Sequence, residues 1–116
     1  MLLHTQTDLW KAAMDLVVEV YHLTGLLPED ERFGLVSQMQ RAATSIPSNI
    51  AEGAGRKTGP DHKRFLYAAR GSLNELSTQM SICHRLKYLK VIETTTAEQL
   101  TMRVRQLLAG TIRVIG

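Results

Sequence analysis

Apolar residues recur every three or four positions in four separate stretches of this chain, and glycine or proline interrupts the pattern between them. That period is the pitch of an α-helix, and no run alternates apolar and polar long enough to suggest a strand. The first stretch, 8–24, carries Leu9, Ala13, Leu16, Val17, Val20 and Thr24, with Thr7 as N-cap and Gly25 as stop signal. The second, 28–52, opens at Pro28 with Glu29, Asp30 and Glu31 suited to the positive end of the helix dipole. Leu35, Met39, Ala42, Ala43, Ile46 and Ile50 run through it, so it reads as one helix, kinked near residues 44–46 by Pro47. Residues 53–59 hold three glycines without periodicity and read as a loop. The third stretch, 60–89, buries Phe65, Ala68, Ala69, Ser72, Leu73, Leu76, Met80 and Cys83. The fourth, 96–115, opens on the capping-box pattern Thr96-Ala97-Glu98-Gln99 and continues through Leu100, Val104, Leu107, Leu108, Thr111 and Ile115. Short connections between four helices predict a single all-α domain over residues 1–116, an antiparallel up-down-up-down four-helix bundle.

A chain of 116 residues, 44% hydrophobic and 22% charged, can bury a core of its own. No apolar run approaches the roughly 18 residues of a membrane span, so no membrane partner is expected. Met1-Leu2-Leu3-His4-Thr5 lacks the basic and apolar regions of a signal peptide, and the single Cys83 can form no intrachain disulfide. A cytoplasmic location is the expectation. Charge is unevenly spread. In residues 1–31 one lysine faces six carboxylates, whereas in residues 32–90 ten Lys or Arg face three. That central excess is either a footprint for an anionic partner or an ordinary solvated surface.

No pattern of reaction chemistry stands out. The loop is not a phosphate-binding P-loop, because Ala51 and Arg56 occupy the positions where that motif needs glycine. His4, His22, His62 and His84 lack partners at metal-ligand spacing, and Glu-x-x-His is absent, so no metal, cofactor or catalytic residue is assigned. Cys83 lies on an apolar stripe and reads as core. The polar residues do form a pattern. Gln38, Arg41, Ser45, Asn49 and Glu52 make one stripe on the second helix, and Ala68, Ser72, Glu75 and Gln79 make one on the third. Folded about residue 58, positions whose numbers sum to about 116 or 117 lie opposite. Gln38 then meets Gln79, Arg41 pairs with Glu75, Ser45 meets Ser72, and Asn49 falls near Ala68. One reading is a structural seam in which Ser45, Ser72 and Gly71 let the helices approach. The other is a pocket of Asn49, Glu52, Ser72 and Glu75; the structural reading is preferred. Arg56, Lys57, Lys63 and Arg64, with Arg70 further along and Tyr67 interleaved for base stacking, are the candidate nucleic-acid contacts. Trp10, Met14 and Tyr21 lie off the main stripe of the first helix and are the candidate oligomer interface.

Three stretches carry a family resemblance. Leu9-Trp10-Lys11-Ala12, the long run from Gly34 through Ser45-Ile46-Pro47-Ser48-Asn49-Ile50-Ala51-Glu52-Gly53, and Ala69-Arg70-Gly71-Ser72-Leu73-Asn74-Glu75-Leu76 resemble the 23S rRNA intervening-sequence family, also called S23 ribosomal proteins. The resemblance spans about Leu9 to Leu89; Met39-Gln40 departs from it, leaving one basic group fewer before Arg41. It implies small cytosolic bacterial proteins, some encoded within ribosomal RNA gene inserts, that are not enzymes and assemble as ring-like homopentamers of four-helix bundles. A related accessory protein of retroelements binds nucleic acid and a reverse transcriptase. Two functions are therefore expected. One is a homo-oligomer that binds RNA, DNA or a nucleic-acid enzyme through a basic surface; the other is a scaffold for a second protein.

Overall fold

A computed structural model describes residues 3–116 as four α-helices: α1 (Asp8–Thr24), α2 (Leu35–Ala54), α3 (Gly59–Arg85) and α4 (Thr95–Val114). Among the described residues there is no strand, and three short 3-10 turns, His4–Gln6, Glu29–Glu31 and Val91–Thr94, precede α1, α2 and α4. Met1 and Leu2, which open the stretch read for a signal peptide, lie outside the described residues. Among the described residues no helix is long and apolar enough to cross a membrane. The helix α1 begins as its sequence implies, with the Thr7 hydroxyl accepting from the Trp10 N–H at 3.2 Å.

The start of α2 corrects the sequence reading. The acidic run does not open a helix at Pro28; it makes a separate turn, and α2 starts at Leu35. Glu31 folds back instead, so that its Oε1 accepts from the Leu35 N–H at 3.3 Å and caps α2 from outside. A Cβ on Gly34 would stand 2.7 Å from that oxygen, so a side chain there would displace the capping carboxylate. The other carboxylate oxygen accepts from the Tyr88 hydroxyl at 3.0 Å, which joins the α1–α2 connection to the α3–α4 connection. That hydrogen bond, reinforced by burial, holds the Tyr88 phenol above its ordinary pKa.

Pro47 sits buried inside α2, and the helix continues through it. Proline supplies no N–H, so the carbonyl one turn earlier loses its helical partner. The neighbouring side chains bond back onto the same stretch of backbone. Thr44 donates to the Arg41 carbonyl at 3.1 Å, Ser45 to Ala42 at 2.8 Å, Ser48 to Thr44 at 2.9 Å and Asn49 to Ser45 at 2.8 Å. The polar residues around Pro47 thus serve their own helix.

Side-chain contacts join neighbouring helices. Between α2 and α3, Ser45 meets Ser72 and the Met39 sulfur lies 3.7 Å from the Cys83 sulfur. Between α3 and α4, Arg105 donates to Asn74 at 2.7 Å and His84 meets Thr94 at 2.9 Å. Gln40 of α2 donates to Thr24 at the end of α1 at 3.1 Å. Leu16, Val20, Met39, Ile46, Leu66, Leu73, Leu76, Val104 and Leu108 fill the space between the helices and are fully buried. Each such side chain contributes roughly 1.5–3 kcal/mol by leaving water.

The far ends of α3 and α4 also differ from expectation. The helix α3 stops at Arg85, short of Leu89, because Lys87 takes a left-handed conformation with φ 62°. The Tyr88 N–H then bonds the Cys83 carbonyl at 2.9 Å and the Lys87 N–H bonds that of His84 at 3.0 Å. This is a Schellman ending with lysine where glycine is usual, and so without its usual sequence signal. The helix α4 opens at Thr95 rather than through a box at Thr96; Glu93 instead accepts from the Lys90 N–H at 2.8 Å in the turn before it. Lys87→Gly removes the steric cost of the left-handed conformation. It is expected to raise the stability measured by urea unfolding by about 1 kcal/mol.

Candidate nucleic-acid interface

The last turn of α2 and the first turns of α3 meet at Gly53, which is buried. A Cβ there would stand 2.9 Å from the His62 ring and 3.0 Å from the Phe65 Cβ, so α3 lies directly on the α2 backbone. Residues 55–58 connect the two helices, and the Thr58 hydroxyl caps α3 by accepting from the Asp61 N–H at 3.2 Å. Gly59 packs against Gly116, which brings the end of α4 to the same place.

This geometry gathers Arg56, Lys57, Lys63 and Arg64 at one end of the molecule. The arginines are organised by groups that the sequence reading did not assign to the cluster. Arg56 pairs with Glu52 at 2.8 Å and with Asp61 at 3.7 Å, while Arg64 pairs with Asp61 at 3.0 Å. Both guanidinium groups also lie over the Phe65 ring, each 4.5 Å from its centroid. Phe65 reads in sequence as one more core residue; the arginine beside it in the chain was the available signal. Lys57 is exposed and Lys63 half-buried, and neither makes an ion pair among the described residues. Further along α3, the Arg70 guanidinium covers the Tyr67 ring at 4.7 Å, so one face proposed for base stacking is already occupied.

Beside the arginines a cleft of about 380 Å³ opens between the helix ends. Leu9, Ile50 and Leu66 supply its apolar wall, and His4, Arg56 and His62 contribute nitrogen-bearing side chains. The sequence reading did not place the two histidines together, because 58 residues separate them and only the fold joins their segments.

The polar seam between α2 and α3 is only partly drawn together. Ser45 and Ser72 hydrogen-bond each other across the two helices. The expected Arg41–Glu75 pair does not form: both are exposed, Arg41 reaches Ser37 at 3.4 Å, and Glu75 accepts from Gln79 at 3.3 Å. Exposed ions gain little by pairing, so water and near neighbours compete successfully. Gln38 is exposed, Asn49 turns to its own helix, and Glu52 turns to Arg56. Gly71 faces open space rather than the neighbouring helix. Gln79 is 4% exposed and its Oε1 lacks any partner among the described residues.

On α1, Met14 and Tyr21 are exposed, with Val18 between them, whereas Trp10 packs half-buried on the core and edge-on to His4. Cys83 is buried; burial and the nearby Glu31 charge push its thiol pKa up and keep it protonated. Among the described residues no group of three or more His, Cys, Asp or Glu could hold a metal ion.

Four helices packed in this way define a small all-α protein, and the class has a solved representative. A crystal structure of a protein of unknown function from the S23 ribosomal protein family of Bacteroides thetaiotaomicron superimposes with a TM-score of 0.83 at 21% identity. The match covers 91% of this chain and 99% of that one, and at this identity it establishes the fold. The family model of the 23S rRNA-intervening sequence protein matches residues 5–110, and the chain belongs to that family. No curated protein matches the sequence.

Two substitutions separate close packing from helix propensity. Gly53→Ala forces His62 and Phe65 aside, and overpacking is expected to exceed the helical gain, for a net loss of about 1–2 kcal/mol. Gly71→Ala meets nothing within 4 Å and is expected to gain roughly 0.5–1 kcal/mol in the same urea titration. Gln79→Met removes a buried acceptor without a partner and is expected to stabilise by about 1 kcal/mol, read as a higher thermal midpoint.

Proposed function

We propose that this chain is a non-enzymatic, cytoplasmic, homo-oligomeric up-down-up-down bundle that binds RNA or DNA through its cationic end. The observation carrying this reading is the convergence of Arg56, Lys57, Lys63 and Arg64 at the α2–α3 turn. Two lysines stand free of ion pairs, and two arginine planes are held in place by Phe65 and Asp61. Phosphate is the anion such a surface suits, because flat guanidinium groups and mobile ammonium groups can both engage its oxygens. The family's name, which ties it to intervening sequences of 23S ribosomal RNA, supports nucleic acid as the partner. Met14, Val18 and Tyr21 on α1 offer apolar surface for self-association, and a ring-like homopentamer is the proposed assembly.

A second reading is a scaffold that binds another protein and has no affinity for nucleic acid. It is favoured by the opposite end of the molecule, where Phe33, Leu86, Val91 and Ile92 are exposed around the two connections joined by Tyr88 and Glu31.

Binding of a structured RNA, followed by electrophoretic mobility between about 50 and 200 mM salt, decides between them. The nucleic-acid reading expects affinity to fall steeply over that interval. Lys57→Ala with Lys63→Ala should weaken binding of all sequences alike and reduce the salt slope by about two. Absence of binding at low salt, or binding indifferent to salt, rejects it in favour of the scaffold. Light scattering tests the assembly, with five times the protomer mass expected.

A further inference from the structure

The cleft at the cationic end differs from the surface around it. Its wall of Leu9, Ile50 and Leu66 is apolar, and no carboxylate lines it. The nitrogen-bearing groups at its edge are His4, His62 and Arg56. Neither imidazole has a hydrogen-bond partner among the described residues. Both rings are nonetheless held in place. His4 stands edge-on to Trp10 at 5.8 Å between centroids, and His62 lies against the Gly53 backbone. Arg56 is fixed by Glu52, Asp61 and the Phe65 face.

These features select a ligand. An apolar wall favours a flat body that leaves water, and fixed nitrogen donors favour acceptor atoms on its edge. A volume of about 380 Å³ lies within the range of small-ligand sites. A simple inorganic anion would use the donors and leave the wall empty; an aliphatic chain would use the wall and leave the donors unpaired. A nucleobase uses both, because its faces are apolar and stack on rings such as imidazole, while its carbonyl and ring nitrogens accept hydrogen bonds. A base inside a duplex presents neither its faces nor its pairing edge.

We infer that the cleft between His4, His62 and the Leu9–Ile50–Leu66 wall receives one unpaired base of a single-stranded RNA or DNA segment whose phosphates run over Lys57 and Lys63. This rests on the nucleic-acid reading above and adds to it a preference for single strands. Phosphate contacts to the lysines hold any nucleic acid; the cleft supplies the discrimination.

The test uses the full chain and fluorescence anisotropy at one low salt concentration with three labelled RNAs: a single strand of mixed sequence, that strand annealed to its complement, and a strand of the same length made abasic throughout. The single strand is expected to bind roughly tenfold or more tightly than the other two, the scale of a base–ring stacking contact. Ala54 of α2 and Thr111 of α4 also line the cleft, and Ala54→Leu and Thr111→Leu each add bulk there. Both should bring single-strand affinity down to the abasic level and leave duplex affinity unchanged, with circular dichroism melts confirming that each variant folds. Equal binding of all three RNAs overturns the cleft assignment while the basic-surface reading stands. Unchanged single-strand affinity in both folded variants also overturns it. No binding to any RNA overturns both readings together.

Discussion

The rest of the molecule depends on how closely α3 can lie on α2. At Gly53 the close approach is possible only because a side chain is absent, since even one carbon would collide with His62 and Phe65. Nearer the middle, two serine hydroxyls satisfy one another where larger side chains would hold the helices apart. Further along, the Met39 and Cys83 sulfurs fill the interface. Pro47 imposes a local cost on α2 by deleting an N–H, and the surrounding Thr44, Ser45, Ser48 and Asn49 bond other carbonyls of the same stretch.

That packing also decides where charge ends up. Because α3 starts directly against the end of α2, the basic residues flanking the turn cannot disperse, and Asp61 is placed between two arginines. The carboxylate lowers the net charge of the patch but orients both guanidinium groups, and Phe65 gives both a surface to lie on. The two lysines lack such restraints and make no ion pair among the described residues. Fixed planar groups beside mobile point charges differ in use: the first suits shape, the second long-range attraction.

Much of the helical pattern was legible in the sequence because apolar periodicity and caps are local signals. Thr7 caps α1, and the boundaries of α1 follow from its pattern and from Gly25. The register that puts Ser45 opposite Ser72 could be read from loop length alone. What could not be read was non-local or unusual. The break before Leu35 depends on Glu31 folding back and on Tyr88 holding it, and Tyr88 is 57 residues away. The end of α3 uses lysine in a conformation that normally advertises itself as glycine. Arg41 and Glu75 have the right register to pair but the wrong exposure, and register carries no information about solvation. The basic cluster was legible as composition; its pairing with Glu52 and Asp61, and its stacking on Phe65, were not.

The polar groups of the seam are divided among separate partners. A catalytic pocket gathers unlike groups where water is excluded, so that each alters the others. Here Glu52 and Glu75 are both exposed and turn to different partners, Arg56 in the α2–α3 turn and Gln79 on α3, and Asn49 is committed to the Ser45 carbonyl. The polar groups that do lack partners lie elsewhere. One is the buried oxygen of Gln79, hidden from any substrate. The imidazoles of His4 and His62, which border an open cleft beside the cations, also lack hydrogen-bond partners among the described residues. Unspent hydrogen-bonding capacity therefore coincides with positive charge and an apolar wall at the end that the Gly53 contact builds. A ligand that engages there needs no moving part of the fold to receive it, because Gly53, Phe65 and Trp10 already hold the surrounding side chains in position.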